Sequence, residues 1–161
     1  RMRAKGRWIE GAIAAMCQSS RAAVAVLRRF GATACTDVTG FGLLGHLVEM
    51  TKASGVQVLL NLSSVPVLDG ALETSGAGLL SSLHSANVRL RRALADVERA
   101  ALDRRYPLLY DPQTAGGLLA GLPGDCAERC VEALHADGYD RAAIIGMVEQ
   151  QGADDFPVRL V

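Results

Sequence analysis

The chain has 161 residues, half of them hydrophobic, and seventeen basic side chains balance seventeen acidic ones. That length is enough for one domain that buries roughly two-thirds of its unfolded surface. The charge balance removes the electrostatic footprint of a nucleic-acid or anionic-membrane partner, and no apolar run approaches the roughly 20 residues of a membrane span.

The basic start Arg1-Met2-Arg3-Ala4-Lys5 lacks the apolar core of a signal peptide, so a soluble, cytoplasmic chain is expected. Because it opens on arginine, an upstream portion is expected to be missing. Residues 8 to 16 and 21 to 30 carry alanine-rich helical patterns, with Ser20 placed as an N-cap and Gly31 as the closing residue. A strand is expected near 33 to 38, then a helix of about 41 to 53 closed by Gly55. Val56 to Leu62 reads as an apolar strand, and 69 to 75 as a short helix stopped by Gly76-Ala77-Gly78. The segment Ser85 to Leu94 is helical by period; its Arg89, Arg91 and Arg92 read as a solvated face rather than a phosphate site. Two strands, Tyr106 to Tyr110 and Leu118 to Leu122, flank the turn Asp111-Pro112-Gln113-Thr114-Ala115-Gly116-Gly117. A helix from about Asp125 to Ala136 ends at Gly138, followed by strands at Ala142 to Val148 and Val158 to Val161. Such mixing of strands and helices predicts an α/β (α+β) layered sandwich in which helices cover a mixed β-sheet.

Cys17, Cys35, Cys126 and Cys130 follow no paired zinc spacing, and their apolar surroundings suggest buried thiols. Cys126 and Cys130 share a helix face at i, i+4, which suits small-residue packing better than metal chelation.

The segment from Ala34 to Leu47 carries most of the chemistry. It passes from a strand through Gly40, Gly42 and Gly45 into an amphipathic helix, whose free N–H groups and dipole suit an anion. Asp37 would repel a phosphate unless a cation intervened, and Mg²⁺ is held by one or two carboxylates plus phosphate oxygens. The competing reading makes Asp37 or Thr39 a simple helix cap, and spacing alone favours that. Neither a Walker motif nor a dinucleotide fingerprint can be laid on the segment. His46, one to two turns into the helix, reads as a histidine hydrogen-bonded between packed elements; Asp111 and Gln113 read as turn formers in a hairpin. All three remain secondary candidates.

Two strings, Thr36-Asp37-Val38-Thr39-Gly40-Phe41-Gly42-Leu43-Leu44-Gly45-His46-Leu47-Val48-Glu49-Met50 and Asp111-Pro112-Gln113-Thr114-Ala115-Gly116-Gly117-Leu118-Leu119, resemble the C-terminal domain of selenophosphate synthetase (selenide, water dikinase). The resemblance spans roughly Trp8 to Val148, and Ser81 to Ala93 is similar to versions fused behind an NADH dehydrogenase-like module. Ala115 departs from the commoner serine. The wording separates the chain from related aminoimidazole ribonucleotide synthetases, thiamine-monophosphate kinases and hydrogenase-maturation dehydratases.

The resemblance implies a reaction of ATP, selenide and water to selenophosphate, AMP and phosphate. It makes Asp37 a Mg²⁺ ligand rather than a cap, with Thr39, Gly40 and Gly42 shaping the nucleotide-facing turn. It further implies that the reactive cysteine or selenocysteine, its lysine and the remaining aspartates belong to a missing N-terminal ATP-binding domain. Residues 1 to 16 would be the lead-in helix from that domain and 17 to 161 a single α/β domain. The full-length protein is expected to be a homodimer, and this chain alone inactive. A buttressing module of another enzyme in the superfamily, such as a thiamine-monophosphate kinase, is the alternative.

Overall fold

The computed structural model describes residues 4–95, 97–152 and 156–161; the first three residues of the expected lead-in helix lie outside them. The elements run α1 (Gly6–Cys17), α2 (Arg21–Arg29), β1 (Ala34–Asp37), α3 (Gly42–Ser54), β2 (Val56–Leu60), α4 (Ala71–Gly76), α5 (His84–Asn87), α6 (Val97–Ala100), β3 (Leu118–Gly121), α7 (Ala127–Ala136), β4 (Gly146–Gln150) and β5 (Val158–Leu160). The mixed sheet expected from sequence is present in the order β4-β2-β5, with β2 antiparallel to β4 and parallel to β5. A second, separate ribbon joins β1 to β3 antiparallel, with Thr36 opposite Leu119 and Asp37 opposite Leu118.

Period-two alternation lets this ribbon serve two cores at once. Val38 and Leu119 enter the larger cluster, built on Leu44, Leu47 and Val48 of α3, Val58 and Leu60 of β2, Val158 of β5, and Leu109 and Tyr110. Leu118 and Ala120 face the other way and pack against Ala23, Val26 and Leu27 of α2 and Cys130 and Leu134 of α7. α2 is held in register by its closure. The Ala32 N–H donates to Leu27 O (3.0 Å) and the Gly31 N–H to Arg28 O (3.1 Å), with Gly31 at φ 73°. Gly138 ends α7 in the same way, through Tyr139 N–H to Leu134 O (2.9 Å).

Several expectations are corrected. Tyr106–Tyr110 is a 3₁₀ turn, not a strand. Pro107 presets a helical φ at its start, and Tyr106, Leu109 and Tyr110 face the core at i, i+3 and i+4, a helical spacing. The loop after it is therefore no hairpin; β3 pairs with β1 instead. The last-but-one strand begins at Gly146 rather than Ala142, where the missing side chain lets it approach the Leu59 carbonyl. The 85–94 segment is the short α5 followed by a 3₁₀ stretch over Val88–Ala93, because Leu94 leaves it to bridge Val158. α6 was not anticipated. Ser20 occupies the N-cap of α2 without a side-chain bond; Ser19 Oγ accepts from the Arg21 N–H instead (3.3 Å).

Cys126 and Cys130 are buried as expected, but Cys17 and Cys35 are exposed. Cys35 and Asp37 lie on the β1 edge of the ribbon face that Ala120 and Leu118 share with α2 and α7, yet both remain exposed, and α1 buries no residue among those described. Arg89, Arg91 and Arg92 are all exposed, as a solvated face requires. Among the described residues no helix is long and apolar enough to cross a membrane.

Candidate functional site

The two strings singled out by sequence lie side by side. Beyond β1 the Val38 N–H donates to Gly117 O (2.9 Å), the Gly116 N–H to Val38 O (3.0 Å) and the Gln113 N–H to Thr39 O (3.0 Å). A side chain at residue 116 would collide with Val38 O (2.6 Å) and with Gln113, so a glycine is what allows the loop to close up on the strand. Gln113 turns its amide back to Asp111 O (3.2 Å). These bonds make the 111–117 loop a continuation of the ribbon that ends at Asp37.

Thr39 and Gly40 then form the turn into α3, and every bond they make fixes its shape. The Thr39 N–H donates to His46 Nε2 (3.0 Å), with Thr39 Oγ1 3.2 Å from the same nitrogen. A backbone N–H can only donate, so Nε2 presents its lone pair and the ring proton is assigned to Nδ1. Nδ1 lies 3.3 Å from Glu49 Oε2, off the line of a hydrogen bond. His46 is thus a buried brace between helix and turn, the role its position in the sequence suggested. The Gly40 carbonyl accepts from Asn87 Nδ2 (2.8 Å), whose second hydrogen goes to Tyr110 O (3.1 Å). The N–H groups of Gly40 and Phe41 make no hydrogen bond among the described residues, which leaves two donors at the helix entrance.

Asp37 is exposed, and its carboxylate has neither hydrogen bond nor ion pair among the described residues. Strand alternation turns it to the ribbon face opposite Val38. It caps nothing: the N-cap of α3 is Phe41, which makes no side-chain bond, and the Thr39 hydroxyl is turned to His46. No group of three or more His, Cys, Asp or Glu able to hold a metal occurs among the described residues. Two surface hollows, one beside Tyr139 and one beside Trp8 and Arg105, include no residue of the turn in their linings. Asp37 is exposed and Thr39 and Gly40 are half-buried, so together they form a rim at the surface.

The glycines of the rim differ in kind. At Gly42, φ is 70° and an added Cβ would meet Leu109 O at 2.9 Å and Asp111 O and Tyr110 C at 3.0 Å. Its absent side chain lets α3 pack on the backbone that leads into the second loop. Around Gly40, nothing lies within 4 Å of an added Cβ, so that bareness has no counterpart in the chain's own packing.

Burial raises the Asp111 carboxyl above its ordinary range, with His84 pulling it partly back down. A raised native value means the carboxylate is disfavoured by folding, so its penalty is absent below the unfolded value and enters as pH rises through the native one. Asp111→Asn is therefore expected to raise the melting temperature at pH 7 and to leave it unchanged well below about pH 4, where the carboxyl is protonated in both the native and the unfolded state. A melting temperature raised equally at both pH values would rule out the electrostatic origin. Partial desolvation, then the Asp37 charge, pushes the Cys35 thiol up, which keeps it protonated and a poor nucleophile.

Asn87 is the residue of this region that sequence reasoning missed. It sat in a segment read for its arginines; the available signal was its place three residues after His84, on the inward face of that run, where both are buried.

A layered α/β domain with a glycine-entered helix, a bare carboxylate and a second loop zipped to it defines a class that the comparisons make explicit. The model of the family "AIR synthase related protein, C-terminal domain" matches residues 12–158, and the chain belongs to that family. Among curated relatives, a protein named selenide, water dikinase from Pelobacter propionicus is 40% identical over 142 residues, covering 88% of this chain and 41% of the relative. Proteins of the same name from Clostridioides difficile (35% identical; 85% of this chain, 39% of the relative) and Caldanaerobacter subterraneus subsp. tengcongensis (33%; 92% and 43%) are also similar. The chain spans about two-fifths of the length of these relatives.

Proposed function

We infer that this chain is the C-terminal domain of an ATP-dependent selenophosphate synthetase and supplies Asp37 to a Mg²⁺-nucleotide site. The reaction consumes ATP, selenide and water and yields selenophosphate, AMP and phosphate. The observation that carries the reading is the pairing of the Val38–Thr39 backbone with the 113–117 loop beside a carboxylate that has no partner among the described residues. The similarity to proteins named selenide, water dikinase supports it further.

The residues fit the metal the reading requires. Mg²⁺ takes hard oxygen ligands, commonly one or two carboxylates with phosphate oxygens, and Asp37 offers one exposed carboxylate with no competing partner among the described residues. When bound, the ion would neutralise charge on the transferring phosphoryl group. The chain's own share is to hold Asp37 at the end of a paired strand and to present the Gly40 and Phe41 amides to phosphate oxygens. Thr39 holds the turn through His46, Gly40 leaves it open, and Gly42 sets the angle of α3 behind it.

With no cluster of three metal ligands among the described residues, the other ligands come from the nucleotide and from an N-terminal ATP-binding domain. Residues 1–16 are then the lead-in from that domain, the full-length protein a cytoplasmic homodimer, and the 161-residue chain inactive by itself. The test is ATP consumption by the full natural chain with and without selenide. AMP and phosphate released only with selenide are expected; stimulation by thiamine monophosphate instead would transfer the domain to a thiamine-monophosphate kinase.

A further inference from the structure

We propose that Asn87 is a positioning residue of the nucleotide site, presetting the Gly40–Phe41 peptide so that its N–H faces the polyphosphate. The inference rests on the reading of this turn as nucleotide-facing. The Asn87 carboxamide is buried, at 8% exposure, and has carbonyl oxygens as its two partners: Gly40 O at 2.8 Å and Tyr110 O at 3.1 Å. Two acceptors on one side fix the orientation of the amide, because only its nitrogen can donate to both.

A trans peptide is planar, and its C=O and N–H point in opposite directions. Holding the Gly40 carbonyl inward therefore turns the Phe41 N–H outward, where it has no partner among the described residues. Asn87 belongs to neither loop, yet it ties the turn to the residue just before Asp111. It thereby sets the geometry of both with a single side chain. His46 does the complementary work two peptides earlier, holding the Thr39 N–H inward so that it is not offered to a ligand. The turn is selective as a result: the Thr39 amide is withheld and the Phe41 amide is presented. Preorganised donors of this kind favour bound phosphate because no reorientation is needed on binding.

The test substitutes Asn87→Asp in the full natural chain, an isosteric change that removes both donated bonds and places an oxygen against two carbonyls. At saturating selenide, KM for Mg²⁺-ATP is expected to rise about tenfold, with kcat changed less than about twofold, as for the loss of one ground-state phosphate contact. The assay is run well below the melting temperature of the variant. An unchanged KM in an active, folded variant overturns the positioning role and leaves the synthetase reading standing. No selenide-stimulated ATP use by the unaltered chain overturns both. Should Asn87→Asp not fold, the Phe41 amide proton of the unaltered chain decides by NMR: a downfield move on adding Mg²⁺-ATP is expected, and an unmoved resonance while ATP is turned over overturns the proposal.

Discussion

Asp37→Ala in the full natural chain is expected to lower Mg²⁺-dependent ATP turnover by roughly 10²-fold or more, the scale on which a metal ligand stabilises transferring charge. Stability should stay within about 0.5 kcal/mol of the parent, because the substitution removes an exposed side chain without hydrogen bond or ion pair among the described residues. That pair of results separates ligand from cap. A lost cap costs about 1 kcal/mol of stability and spares the chemistry. Steady-state kinetics over a range of Mg²⁺ concentration, together with a denaturation midpoint, measures both. Turnover within a few-fold of the parent would end the ligand reading.

Gly42→Ala is the substitution expected to harm folding most. Its φ of 70° alone imposes about 1 kcal/mol or more on a residue with a Cβ. The new carbon would also sit 2.9–3.0 Å from three backbone atoms of Leu109, Tyr110 and Asp111, none of which can swing aside as a side-chain tip would. Together these amount to roughly 3–4 kcal/mol, a large share of the stability of a domain this size. Gly40→Ala, two residues earlier and in open space, serves as the control and should cost less than about 1 kcal/mol. Urea denaturation of the two variants checks the contrast. Equal midpoints would mean that α3 does not depend on close contact with the second loop.

Local chemistry made much of the fold legible. The glycine-entered helix, its stop at Gly55 and the closures at Gly31 and Gly138 all rest on residue types whose backbone preferences decide the outcome within a few positions. Tyr106–Tyr110 has the aromatic, apolar composition of a strand, while its i, i+3, i+4 spacing and Pro107 are those of the 3₁₀ turn it forms. β4 was placed four residues early because its first paired position is set by contact with β2, which lies far away in sequence. The exposure of Cys17 and Cys35 is likewise a tertiary fact: alanine-rich or apolar neighbours do not ensure that anything covers them.

The site was legible in part for the same reason. Asp37 and the glycines stand in one contiguous string, so their grouping was visible. The Val38–Gly116 and Thr39–Gln113 bonds were not, since nothing local indicates which distant loop will complete a ribbon. Asn87 was harder still. A side chain that serves two carbonyls from separate segments leaves no periodic trace of its own.

The β1–β3 ribbon has one further consequence. Its inner residues answer to α3 and its outer ones to α2 and α7, so neither helical layer can shift without dragging the strand that carries Asp37. The acidic group that meets the outside world is thus anchored like a tent pole guyed from both sides. That its carboxylate makes no bond among the described residues is compatible with a fixed position, since the scaffold beneath supplies the stiffness that side-chain contacts would otherwise provide.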